Sequence, residues 1–164
     1  MLGRKEREND AEHSWHAVMW FILLEPFLKT KINSEKVVKM LIMHDLPEIY
    51  AGDVLTFHKN NSHREKEIKG AKKIFKQFPK NLSRKYFDLW YEFEHGKTKE
   101  AKVARAMDKL QPILQNINTQ GKAWKWNHIN YKTVDDHKRK HMEFDGAILK
   151  IYEALMKQAK QYIQ

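Results

Sequence analysis

Lys39-Met40-Leu41-Ile42-Met43-His44-Asp45-Leu46-Pro47-Glu48-Ile49-Tyr50-Ala51-Gly52-Asp53 puts ionisable groups inside a run that otherwise reads as a buried helix. From Val37 to Ile49 the segment is apolar nearly all round, the mark of a helix with no solvent face. At 3.6 residues per turn Val37, Leu41, His44, Asp45 and Glu48 fall on one stripe, so the polar trio points inward with the hydrocarbon. An unpaired buried carboxylate costs several kcal/mol, of the order of a small domain's whole stability, so a compensating group is required. A metal ion is the simplest one, because neutral imidazole and carboxylate are both ligands.

Outward from this stretch the chain reads as all-α. Asn9 or Asp10 starts a helix, with Glu12 three residues beyond Asn9 as in a capping box, and Pro26 limits it near Glu25. His13, Ala17, Trp20 and Leu24 share its inner stripe. Asn33 or Ser34 caps a second helix, Glu35 to Ala51, which Gly52 ends. Asp53 to Ser62 is a polar loop suited to a lid or rim. Arg64 to Phe78 is an amphipathic, lysine-rich helix ended by Pro79. Another runs from Asn81 or Ser83 to His95, with Tyr86, Leu89, Trp90 and Phe93 inward, and Gly96 closes it. Lys99 to Asn118 follows, with Asp108 on its Ala101-Ala104 stripe and a kink expected at Pro112. Gln120 to Met142 reads as a loop with one or two short helical turns, and Phe144 to Ile163 as the closing helix.

The 164 residues are 41% hydrophobic and 12% aromatic, enough for one domain with a real core and too apolar for general disorder. There is no cysteine, which removes disulfides and favours a cytoplasmic address. The run Ala17 to Leu28 is too short to span a bilayer and, with Glu25 and Pro26 inside it, does not resemble a signal sequence. The net charge of +10 invites a nucleic-acid reading. Basic residues are nevertheless spread along the chain among acidic ones, which favours solubility as their role and leaves nucleic acid an unlikely partner.

His13, His44, Asp45 and Asp108, from three helices, all lie on apolar stripes. Each alone is ambiguous, but together two imidazoles and two carboxylates fit a divalent metal with positions open to water and substrate. His16, one turn after His13, is a possible partner for it; His58, His63, His95, His128, His137 and His141 look like surface or loop residues. Glu48, on the His44 face, is placed to contact water or a leaving group, and Asp53 to swing back toward the site after Gly52.

The run Arg7-Glu8-Asn9-Asp10-Ala11-Glu12-His13-Ser14-Trp15-His16, then His44-Asp45-Leu46-Pro47-Glu48 to Asp53, then Ala106-Met107-Asp108-Lys109-Leu110-Gln111-Pro112 resembles the HD-domain phosphohydrolases over about residues 4 to 118. Within them it is most similar to the branch of the bacterial 5'-deoxynucleotidases and the eukaryotic HD-domain-containing protein 2. The resemblance implies an all-helical HD-domain bundle over residues 1–164, with a metal-binding core at about 9–118 and a C-terminal loop and helix at 119–164. It implies one divalent metal ion (Mn, Co, Zn, Fe or Mg) on His13, His44, Asp45 and Asp108, and catalytic roles for Glu48 and Asp53. The substrate it implies is a small phosphorylated one, a nucleoside 5'-monophosphate foremost; a homodimer is compatible with it. That branch usually has a further helix before the Glu8-Asn9 segment, bearing basic phosphate contacts; here Arg4, Lys5 and Arg7 are expected to serve. An HD-type phosphodiesterase or triphosphohydrolase is the alternative within the class, and a basic nucleic-acid or partner-binding module with a structural metal is the alternative outside it. Of the remaining charges only Lys109 is expected to matter to catalysis, whereas Lys138, Arg139 and Lys140 are expected to be exposed and dispensable.

Overall fold

The computed structural model describes residues 8–52 and 61–163, and every described element is helical. The order is α1 (Asp10–Leu24), α2 (Ser34–Met43), α3 (Glu48–Ala51), α4 (Asn61–Phe75), α5 (Lys80–His95), α6 (Lys99–Asn118), α7 (Lys122–Trp126), α8 (Tyr131–Lys138) and α9 (Gly146–Ala159), with 3-10 turns at Glu25–Phe27 and Arg139–His141. Among the described residues no helix is long and apolar enough to cross a membrane.

The bundle is built around α6, which packs on α1, α2, α5 and α9. Its small and aliphatic residues Ala101, Val103, Ala104, Ala106, Met107, Leu110 and Ile113 are wholly buried, so neighbouring helices approach closely on several sides. Phe21, Met40, Leu41, Ile148 and Tyr152 fill the space around it. A smaller cluster of Ala71, Phe75 and Trp90 joins α4 to α5.

The expected capping box is present. Asn9 accepts from the amides of Ala11 and Glu12 at 3.1 and 3.0 Å, and the Glu12 side chain reaches back to the Asn9 amide, which sets His13 in the first turn of α1. The other end of the fold is tied by Asp145. It caps α9 through Ala147 and Ile148 and accepts from the Lys29 and Thr30 amides and the Thr30 hydroxyl, so its carboxyl sits below the usual range although burial opposes this.

Two expectations are corrected. The second helix does not run unbroken to Ala51: α2 stops at Met43, residues 44–47 form a turn, and α3 begins at Glu48. Pro47 is the cause, because it has no amide to donate and its ring clashes with the carbonyl four residues back, at Met43. The turn is held by i to i−3 bonds, Leu46 to Met43 at 3.3 Å and Glu48 to Asp45 at 2.9 Å. His44 itself keeps helical dihedrals, so its inward direction survives the break. The segment 120–142 is also more ordered than a loop, since it forms α7, α8 and a 3-10 turn, with Trp124, Val134, Lys138 and Met142 buried.

The broken turn is anchored from two sides. Trp90 of α5 donates its indole N–H to the His44 carbonyl at 3.1 Å. Gly70 of α4 lies against Pro47 so closely that a Cβ there would come within 2.5 Å of the Pro47 carbonyl oxygen. Only a residue without a side chain allows this approach.

Candidate metal centre

His13 from α1, His44 and Asp45 from the turn after α2, and Asp108 from the middle of α6 are brought together. Ligand atoms of His13, His44 and Asp45 all lie within 4.8 Å of one another. Asp108 Oδ1 is 3.2 Å from His13 Nε2 and 3.7 Å from His44 Nε2, and Asp45 Oδ2 is 3.9 and 3.1 Å from the same two atoms. The His44 side chain is 3% exposed, while His13 is at 16% and both aspartates are at 21%, so His44 is enclosed and the other three stay partly accessible.

Each imidazole is oriented by its other nitrogen. His44 Nδ1 donates to the Leu41 carbonyl at 2.8 Å, and its ring stands 5.1 Å from that of Phe93. That bond leaves the Nε2 lone pair facing the aspartates, buried and without a hydrogen bond. An orphaned acceptor in such a place suits a metal ligand, and the N/O donor set fits a divalent first-row ion or magnesium.

His13 is oriented by Gln111, a fully buried residue of α6. The Gln111 amide nitrogen donates to Glu8 Oε1 at 2.6 Å and to His16 Nδ1 at 3.0 Å, so its oxygen is the atom 3.0 Å from His13 Nδ1. An oxygen there accepts, so His13 Nδ1 carries the proton and Nε2 faces the aspartates. His16 therefore joins His13 through Gln111 and not as a paired ligand. Glu8 and Gln111 lie in the runs that carry the family resemblance, but the sequence reading gives neither of them a role, although Gln111 extends the Ala101-Ala104 stripe that singled out Asp108.

The charges are strongly coupled. Burial would lower the His13 pKa, but the carboxylates of Asp108 and Glu8 outweigh it and push it up to about 11. His44 is also raised, against burial, by Asp45 and Asp108. Burial raises Asp45. Asp108 is held well below the usual carboxylate range despite burial, by the Lys109 charge and the two imidazoles. Two carboxylates in unlike environments and two cation-accepting rings are a site that binding of a divalent ion relieves.

Glu48 opens α3, tied by its backbone to Asp45, and is partly buried. Asp53, Arg4, Lys5, Arg7 and His58 lie outside the described residues. Of the histidines expected at the surface, His63 is instead buried and paired with Glu67 at 3.1 Å, and His137 and His141 are half-buried. Lys138 is buried too, contrary to its expected exposure.

Comparison with known proteins gives a consistent result. Residues 1–150 match a family model described as HD domain. The 5'-deoxynucleotidase HDDC2 of Xenopus laevis is 29% identical over 113 residues, covering 67% of this chain and 54% of its own length. The 5'-deoxynucleotidase hdd1 of Schizosaccharomyces pombe is 30% identical over 128 residues, 73% of this chain and 62% of its own. The chain thus spans about half the length of the curated HDDC2 relatives it matches. The crystal structure of a predicted metal-dependent phosphohydrolase from Magnetospirillum magnetotacticum MS-1 superposes with a TM-score of 0.86 at 34% identity, covering 96% of this chain and 82% of that one.

Proposed function

Because the chain belongs to the HD domain family, we propose that it is a metal-dependent phosphohydrolase whose reaction is hydrolysis of nucleoside 5'-monophosphates to nucleoside and inorganic phosphate. The observation that carries this reading is the convergence of two imidazole Nε2 atoms, each with its Nδ1 committed elsewhere, on Asp45 and Asp108. His13, His44, Asp45 and Asp108 would hold the cation. When bound, the ion supplies positive charge against the phosphate oxygens and acidifies water.

The remaining chemistry belongs to side chains. Water attacks phosphorus, the bond from phosphorus to the sugar oxygen breaks, and that oxygen leaves with a proton. Glu48 is assigned to moving this proton, since it follows the ligand turn directly and is not needed to complete the ligand set. Asp53 is assigned to the same face, and Arg4, Lys5 and Arg7 to the substrate, from their positions in the sequence. Rigid helices on three sides suit a reaction in which positioning and electrostatics dominate. A single HD domain over residues 1–164, a cytoplasmic address and a homodimer belong to the same reading; the exposed Trp15, Ile22, Leu23 and Phe27 along α1 and the turn after it support the last.

The test is release of phosphate from a panel of ribo- and deoxyribonucleoside 5'-monophosphates by the purified protein loaded in turn with Mn, Co, Zn, Fe and Mg. Turnover with one or more of them is expected. Stoichiometric metal binding with no release from any monophosphate would refute the assignment.

A further inference from the structure

Two lysines are buried beside Asp108, and between them they have one carboxylate. Lys109 is 8% exposed and Lys138 7%. Lysine is almost never buried to this degree unless it is paired, because its ammonium gives up strong hydration. Lys138, at the end of α8, donates to a neutral acceptor, the Lys109 carbonyl, at 2.8 Å. Lys109 reaches Asp108 Oδ2 at 3.4 Å, longer than the roughly 2.7–2.9 Å of a good charge-assisted bond. The other oxygen of that carboxylate is turned to the imidazoles. An ammonium has three protons to donate, and Lys109 places one of them at this long distance.

Among the described residues neither lysine pairs with a second carboxylate. On α6 the Arg105 guanidinium bonds to the Phe93 and Glu94 carbonyls, which adds another cation nearby. On α8 the carboxylates are engaged elsewhere, Asp135 with Arg139 and Tyr152 and Asp136 with Lys132. Two histidines complete this side. Burial first, and then Lys109, Arg105 and Lys140, hold His141 down to about 3, and burial with the same lysines and Lys138 holds His137 at about 4. Both shifts run the same way because burial and the neighbouring cations each disfavour the protonated ring.

We propose that this cluster is an oxyanion site, in which the Lys109 ammonium binds the phosphate of the substrate while Lys138, fixed on the Lys109 carbonyl, is a positioning residue that holds the lysine's main chain from behind. The ligand class is a tetrahedral phosphate dianion, carried by a phosphomonoester or by free inorganic phosphate. The assignment deepens the phosphohydrolase reading and rests on it for the identity of the ester. It also gives a role to the buried Lys109 ammonium, whose partner Asp108 is shared with the two imidazoles; burial and then the Lys109 charge push Lys138 down to about 7, so the positive charge here is chiefly that of Lys109.

The test uses the metal-loaded protein and its K109M, K109R and K138M variants, titrated calorimetrically with inorganic phosphate and with chloride at matched ionic strength, with steady-state kinetics and metal content in parallel. K109M is expected to bind phosphate at least tenfold more weakly and to raise KM by a similar factor, with metal content unchanged. K109R is expected to restore phosphate binding to within a few-fold, and K138M to lose a few-fold only. Wild-type phosphate affinity in K109M, or loss of the metal from it, would overturn the proposal, since the lysine would then serve Asp108. Should K109M not fold, the 15N signal of the Lys109 side chain in the wild-type protein decides: it moves with phosphate and not with chloride, and equal response to both overturns the assignment. Lys109-dependent phosphate binding without turnover of any monoester would sink the enzymatic reading and leave this site standing. Turnover with Lys109-independent phosphate binding would do the reverse.

Discussion

Replacing Gln111 by Leu keeps the approximate volume of a fully buried side chain and removes both ends of its amide. His13 Nδ1 then loses its 3.0 Å acceptor and Glu8 its 2.6 Å donor. Loss of such an outer partner of a metal-binding histidine typically weakens the metal about 10–100-fold, or about 1.4–2.8 kcal/mol. The effect on folding is separate. A buried polar group left unsatisfied costs about 1–3 kcal/mol, but the side chains of His13 and Glu8 are 16% and 20% exposed, so water recovers part of this. The lower half of that range is expected, about 1–2 kcal/mol, which in a domain of this size lowers Tm by roughly 2–8 °C. Calorimetric titration of chelator-stripped protein with Mn measures the first quantity, and thermal unfolding in chelator the second. A well-folded Q111L protein with wild-type Mn affinity would falsify the idea that Gln111 sets the His13 tautomer.

Three further outcomes are expected. With His13 raised to about 11, metal-free protein holds a proton on that ring at neutral pH, and Mn must displace it. Calorimetry at pH 7 in buffers of different ionisation enthalpy should therefore report proton release, about one per ion from His13 and more if His44 or Asp45, both also raised, gives one up, and buffer-independent heats would contradict this. The same shift has a sign for folding: a pKa above its unfolded value makes His13 stabilise the metal-free fold below about pH 6.5, a contribution lost as pH climbs toward 11. Glu48→Gln should lower kcat about 10²–10⁴-fold with metal content unchanged, and near-normal turnover would leave Glu48 a purely structural role. Asp145→Ala removes an α9 cap and the bonds to Lys29 and Thr30, which should cost about 2–3 kcal/mol, seen as a lower denaturation midpoint, with the deficit shrinking as acid protonates the wild-type carboxyl.

Much of the framework is legible from the chain alone because its punctuation is strong. Asn9, Asn33 and Gly96 mark helix ends, and α6 runs over Lys99–Asn118 as its periodicity predicts. The same periodicity points His44 and Asp108 inward, since a polar residue on a buried stripe shows against hydrocarbon. What stays hidden depends on contacts distant in sequence or on misjudged local structure. Gln111 is on such a stripe, but its meaning lies in Glu8, more than a hundred residues away. Pro47 looks tolerable inside an apolar run until its clash with the preceding turn is weighed. Lys138 sits in a basic triplet that resembles a solvated surface. Once residues 131–138 are seen to be helical, Val134, Lys138 and Met142 fall one turn apart on a buried line.

The contact of Gly70 with Pro47 sets a limit on how this chain can vary. The proposed ligands His44 and Asp45 sit on a turn whose rear surface is the bare backbone of another helix, so any side chain at position 70 has to push that turn or retreat with α4. Alanine, ordinarily a welcome exchange for glycine within a helix, becomes here a wedge acting on a metal centre it never touches. Coordination geometry is in this way answerable to a residue with no functional group at all, and a survey that looks only for ionisable side chains would pass over one of the positions with most control over the site.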